Sequence, residues 1–172
     1  MKINLTICGV KELPNQEGKR WTHVISIWDK DCLFDPSCRE RVKAVAPRAN
    51  LLFCFFADTI VPNHPHAPRP DDVKRILDFT EKLPAKAKVL VHCHAGVSRS
   101  TATAYAILCQ HTSPGMEMEN LLHVQSLRDL VFPNRLIIEL ADKVLKRKGA
   151  MLLHLYHPGM AARITQHGPT SR

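Results

Sequence analysis

The chain has 172 residues, 45% of them apolar and 23% charged, with a formal net charge of +8. That length suits one domain with a full core, and no apolar run approaches the roughly 18 residues that a membrane span needs. The amino terminus carries neither the apolar stretch nor the small-residue cleavage site of a secretory signal, so a cytoplasmic protein is expected, with most of its six cysteines serving as small buried hydrophobes.

Along the chain, short apolar runs rich in β-branched and aromatic residues mark strands at 3–8, 23–28, 51–57 and 89–93, with a weaker one at 10–13. Asp29 directly follows the second of these runs and reads as a turn residue. Between the strands, helical periodicity covers 36–45 and 71–83, the latter opening on Asp71 and Asp72, which suit the first turn of a helix. Beyond residue 93 the pattern is helical throughout: 100–111, 116–127 and 134–148. Asn134 is placed to cap the last of these, and Leu136, Ile137, Leu140, Val144 and Leu145 form its apolar stripe. The expected fold class is therefore α/β, a single central, mostly parallel sheet of four or five strands flanked by helices. Residues 1–148 form the expected catalytic domain. Residues 149–172, interrupted by Gly149, Pro158, Gly159 and Pro169, form a basic carboxyl-terminal appendage, partly ordered by Met151–Tyr156. Residues 143–172 contain Lys143, Lys146, Arg147, Lys148, Arg163 and Arg172 and no acid, so most of the net charge sits there. A solvated helix end plus a loose tail accounts for it, and charge alone does not make a nucleic-acid binder.

The chemistry is carried by the stretch from Val89 to Thr101, where a strand passes through His92-Cys93-His94-Ala95-Gly96-Val97-Ser98-Arg99-Ser100 into a helix. Unpaired amides at a helix start, together with the helix dipole, make an anion site. Gly96 allows the turn that brings successive N–H groups to one centre. Arg99 adds a planar two-pronged donor matched to phosphate oxygens, and a thiol at the centre of this positive field is expected to be a thiolate. Cys32 and Cys38, six apart with no second pair, lack zinc-ribbon spacing. His64 and His66 lie in a proline-broken loop and, with His94, are not read as metal ligands.

The pattern His92-Cys93-x-x-Gly96-x-x-Arg99-Ser100 resembles the signature of the cysteine-based protein tyrosine phosphatase superfamily. Arg128 followed by Phe132-Pro133-Asn134 is similar to the stretch that follows the signature in compact, dual-specificity-like members. The resemblance spans roughly residues 20–146 and is sharp only at 92–100. It implies that Cys93 attacks phosphorus to give a phosphocysteine. It implies too that His94, Ala95, Gly96, Val97, Ser98 and Arg99 hold the phosphate and stabilise the transition state. Ser100 then assists release of the thiolate, and His92 orders the loop. The leaving oxygen takes its proton from an upstream Asp. Asp58, 35 residues before Cys93 and just past a strand, matches that position better than Asp71, Asp72 or Asp29. No metal or other cofactor is implied.

The expected function is hydrolysis of phosphomonoesters, most of all on phosphotyrosine or dual-specificity protein substrates, by a monomer with no obligatory nucleic acid and no membrane span. Phosphoinositide phosphatase, RNA 5′-phosphatase and phosphate-binding pseudophosphatase are the alternatives. Cys8, Cys54 and Cys109 are candidates for a disulfide that protects an oxidised Cys93.

Overall fold

The computed structural model describes residues 3–156. Four strands, β1 (Asn4–Gly9), β2 (His23–Trp28), β3 (Asn50–Phe55) and β4 (Lys88–Cys93), form one wholly parallel sheet in the order β1-β4-β2-β3. Among the described residues, six α-helices accompany them: α1 (Pro36–Val45), α2 (Pro70–Thr80), α3 (Arg99–Gln110), α4 (Glu117–Leu127), α5 (Arg135–Val144) and the short α6 (Ala150–Leu153). The weak apolar run at 10–13 is not a fifth strand. It opens a 3₁₀ helix, Val10–Gln16, held at its start by the Gly9 N–H donating to Glu12 Oε2 at 2.6 Å, with Pro14 unable to supply a ladder donor.

β4 lies between β1 and β2 and is apolar at Val89, Leu90 and Val91, all fully buried, as expected of a strand covered on both faces. Alternation along the pleat separates two cores. Leu5, Ile7, Ile25, Ile27, Val89, Val91 and Cys93 pack against α2, α3, α4 and α5. Cys8, Val24, Trp28 and Leu90 face α1 and the Val10–Gln16 helix. α3 runs through the larger core, and every residue of it from Arg99 to Cys109 is buried. Local signals set the helix starts. Asp35 accepts from Ser37 N at 2.9 Å with Pro36 at the first position of α1, and Asn134 accepts from Ile137 N at 3.1 Å to cap α5.

After α5 the chain reverses through Lys146 and Lys148, both with positive φ, and Gly149. α6 then docks on the core: Met151 is fully buried, and the buried Asp142 accepts from Gly149 N and Met151 N at 2.7 and 3.1 Å. Residues 157–172, most of the segment read as an appendage, lie outside the described residues. Among those described, no helix is long and apolar enough to cross a membrane.

Candidate active site

In a parallel sheet, the loops at the carboxyl ends of the strands build the site. Here the loop from β4 to α3 is pressed against the end of β1. Gly96 has φ +74°, and a Cβ on it would lie 2.6 Å from the Cys8 carbonyl carbon and from Gly9 N. Gly9 is equally confined, since a Cβ there would sit 2.9 Å from the Ala95 carbonyl. Two glycines thus let two backbones touch, where any side chain would push them apart. Outside the loop its carbonyls are taken: His94 O by Val10 N (2.9 Å), Val97 O by Phe132 N (3.0 Å), and Ser98 O by Asn134 N (3.2 Å). Thr101 Oγ1 donates to Val97 O and Ser98 O as well, at 2.5 and 2.9 Å. Three of the loop's carbonyls are thus satisfied outside it and do not compete for its inner side. Gly96 N–H points at Cys93 Sγ at 3.3 Å, and Ser100 Oγ lies 3.1 Å from the same sulfur. No side chain caps α3, so its first amides stay open to an anion.

Arg99 is 3% exposed. Its Nη1 donates to Asp29 Oδ1 at 2.9 Å and to the Phe56 carbonyl at 2.8 Å, and Nη2 lies 3.5 Å from Asp29 Oδ2. Its Nε is buried and has no hydrogen-bond partner. Asp29 is therefore more than the turn residue its sequence position suggests. The signal that could have found it is topological: it ends the strand beside β4, at the carboxyl edge where sites form.

Asp58 is brought to the same place. Its Oδ1 accepts from Ser98 Oγ at 2.7 Å and from Asn134 Nδ2 at 2.8 Å, while Oδ2 lies 3.9 Å from Arg99 Nε. Asn134 also donates to Thr59 O at 3.2 Å, so the cap of α5 holds the Asp58 loop against the Cys93 loop. Asp71 and Asp72 stay at the start of α2, where Asp72 accepts from Arg69 N at 3.0 Å.

His92 is fully buried behind the loop, its Nε2 2.7 Å from Ser26 Oγ, which also receives Trp28 Nε1 at 2.5 Å, and its ring meets Trp28 edge-on. Burial pushes its pKa down to about 4, so the ring is neutral at neutral pH. All six cysteines are free thiols. Burial pushes Cys8, Cys38 and Cys54 up to about 12 and Cys109 to about 11, which keeps them protonated. Cys8 is paired in register with His92, not Cys93, and so projects from the opposite face of the sheet from Cys93. Among the described residues, no three His, Cys, Asp or Glu side chains are grouped to hold a metal ion. A cleft lined by Glu17, Arg20, Trp21, Val45 and Arg48 opens at the other end of the sheet and shares no residue with this site.

No family model matches the chain. A 47-residue stretch, 27% of the chain, is 51% identical to the protein phosphatase Slingshot homolog 3 of Rattus norvegicus, and spans only 7% of that protein. Human DUSP28 is similar in structure, with a TM-score of 0.59 and 17% identity over 87% of this chain and 96% of that one. The human tyrosine phosphatase-like serine/threonine/tyrosine-interacting protein is similar too, with a TM-score of 0.57 and 21% identity over 87% of this chain and 93% of that one. At these identities the likeness is one of fold: the chain has the fold of the cysteine-based tyrosine and dual-specificity phosphatases.

Proposed function

We propose that the chain hydrolyses phosphomonoesters through a phosphocysteine, with phosphotyrosine and dual-specificity protein substrates as its class. The observation that carries this reading is the buried Arg99 Nε, left without a hydrogen-bond acceptor on the same loop as a thiol that receives an amide and stands next to a hydroxyl. A buried guanidinium donor without an acceptor is costly, and a phosphoryl oxygen satisfies it. In the first step Cys93 Sγ forms a bond to phosphorus as the ester P–O bond breaks, and Asp58 Oδ2 gives its proton to the departing oxygen. Arg99 and the loop amides hold the equatorial oxygens through both steps. In the second step Asp58 takes a proton from water, the water oxygen bonds to phosphorus, and the P–S bond breaks. Ser100 Oγ, 3.1 Å from the sulfur, donates to the thiolate as it leaves. Ile60, Val61 and Phe132 are exposed apolar residues on the segments bonded to the loop, and they favour a substrate with an aryl body.

The test is a panel of phosphotyrosine and phosphoserine peptides, inositol phosphates and 5′-triphosphate RNA, run on the wild type and Cys93→Ser. Phosphotyrosine peptide should be turned over best, and Cys93→Ser should abolish turnover while still binding phosphate analogues. Turnover by Cys93→Ser within about tenfold of wild type, a change of only ~1.4 kcal/mol in barrier, sinks the cysteine mechanism.

A further inference from the structure

We infer that Asp29 is the positioning residue of the phosphate clamp. It fixes the end of the Arg99 guanidinium so that the side edge, Nε and Nη2, is the edge presented to phosphate. This rests on the phosphatase reading above.

The guanidinium has five N–H donors in a rigid planar fork. Asp29 faces the end of the fork, with Oδ1 2.9 Å from Nη1 and Oδ2 3.5 Å from Nη2. The other Nη1 donor goes to the Phe56 carbonyl at 2.8 Å. Three of the five donors are thus engaged. The two that remain, on Nε and on the inner side of Nη2, are parallel and adjacent, a geometry that meets two oxygens of one phosphoryl group. The buried Nε, which has no hydrogen-bond partner, belongs to this edge.

Asp29 has a second consequence at the same atoms. Asp58 Oδ2 lies 3.9 Å from Arg99 Nε, close enough that a small rotation of the guanidinium would make a full ion pair. Such a pair would consume both the phosphate edge and the proton-carrying oxygen of Asp58. Asp29 opposes that rotation because its contact with Nη1 would have to be broken. Asp29 touches neither the reacting sulfur nor, on this geometry, the phosphoryl group, so it acts through Arg99. Half of its side chain is exposed, and it makes no other side-chain hydrogen bond among those described. Its removal should therefore disturb the clamp more than the fold.

The experiment is tungstate binding by calorimetry, with kcat and KM on an aryl phosphate, for the full chain and for Asp29→Ala, Asp29→Glu and Asp29→Ala/Asp58→Asn. Misplacing a positioned group by about 1 Å costs up to ~10²-fold. Asp29→Ala should accordingly weaken tungstate binding and lower kcat/KM by roughly 10- to 100-fold, with a fall in thermal midpoint too small to account for it. Asp29→Glu should recover part of both. Asp29→Ala/Asp58→Asn should regain tungstate affinity, because the competing ion pair is gone. Tungstate affinity in Asp29→Ala within about threefold of wild type, or a loss that merely follows a lowered midpoint, overturns the inference. If Asp29→Ala fails to fold, Asp29→Ser, which stays polar but is too short to reach Nη1, supplies the same comparison. A wild-type chain that binds tungstate but turns over no phosphomonoester sinks the phosphatase reading alone, and the tungstate comparison still decides the role of Asp29.

Discussion

Hydrogen bonds divide the two oxygens of Asp58 between different tasks. Oδ1 accepts from both Ser98 and Asn134, so a proton is better placed on Oδ2, the oxygen nearer the Arg99 edge. A general acid matters in proportion to how poor the leaving group is, and contributes typically ~10²–10⁴-fold. Asp58→Asn should therefore slow hydrolysis of phosphotyrosine strongly and hydrolysis of a heavily activated aryl phosphate far less. Equal slowing of both substrates, with the leaving-group dependence appearing instead in Asp71→Asn or Asp72→Asn, would transfer the role to the α2 start. His92 gives a second prediction, on stability. Its folded pKa of about 4 lies below the ordinary value near 6.5, so between those pH values the unfolded chain binds a proton that the folded chain refuses. Stability is thus full above pH ~6.5 and falls as pH drops toward 4, by roughly 3 kcal/mol from this residue. Urea midpoints at pH 7 and 4.5 should show a steeper loss in wild type than in His92→Gln, and identical slopes would contradict the assignment. Cys93 and Arg99 share one continuous stretch and Asp58 directly follows a strand, so local sequence alone could propose all three, and the structure brings them together. Asp29 was not legible in this way, because its partner is 70 residues away and only the sheet order brings β2 beside β4.

Asn134 joins two elements with one side chain. Its Oδ1 caps α5 at Ile137 N, and its Nδ2 holds Asp58 Oδ1 and Thr59 O. The cap was foreseeable from Pro133-Asn134 ahead of an apolar stripe, a local signal. The Nδ2 contacts depend on where the β3–α2 connection lies in space, which periodicity does not encode. The two roles separate by substitution. Asn134→Ala should lose the cap, about 1 kcal/mol of stability, and also slow phosphotyrosine turnover. Asn134→Ser keeps a capping oxygen but has no amide donor, so stability should be nearly retained while turnover falls as in Asn134→Ala. Denaturant midpoints alongside kcat for both variants check this, and turnover in Asn134→Ser equal to wild type would remove Asn134 from the site. The strands were legible for the opposite reason: near-continuous apolar runs in 23–28 and 89–93 match the burial of a parallel sheet on both faces. The run at 10–13 misled because an apolar pair before a proline satisfies a short 3₁₀ turn as readily as a strand.

At the scale of the whole molecule, the basic carboxyl-terminal end divides into parts with different physics. Lys143, Lys146 and Lys148 leave their charge in water, but Arg147 is turned inward by the left-handed residues on either side of it. Its Nη1 donates to Glu117 Oε1 at 2.9 Å, and its Nη2 donates to Thr112 O at 2.6 Å and to Cys109 O, with both charged side chains almost wholly buried. This one guanidinium ties the turn after α5 to the end of α3 and the start of α4, and composition alone could only count it among the surface charges. Removing one partner of a buried pair leaves an uncompensated charge in a low-dielectric site, which costs about 3–5 kcal/mol. Replacing both with uncharged groups of similar size removes that penalty, so it can be close to neutral. Arg147→Ala should therefore lower the unfolding free energy by about 3–5 kcal/mol, whereas Glu117→Gln/Arg147→Met should lose far less. Arg147 binds the end of α3 remote from Arg99, roughly 15 Å along the axis at 1.5 Å per residue. The turnover of folded Arg147→Ala should accordingly match wild type at a temperature below its lowered midpoint. Urea unfolding of the two variants, with kcat measured on the folded protein, decides the matter. A loss under about 1 kcal/mol in Arg147→Ala, a value ordinary for exposed pairs, would mean that the pair is solvated and that α6 is held by Met151 and Asp142 without it.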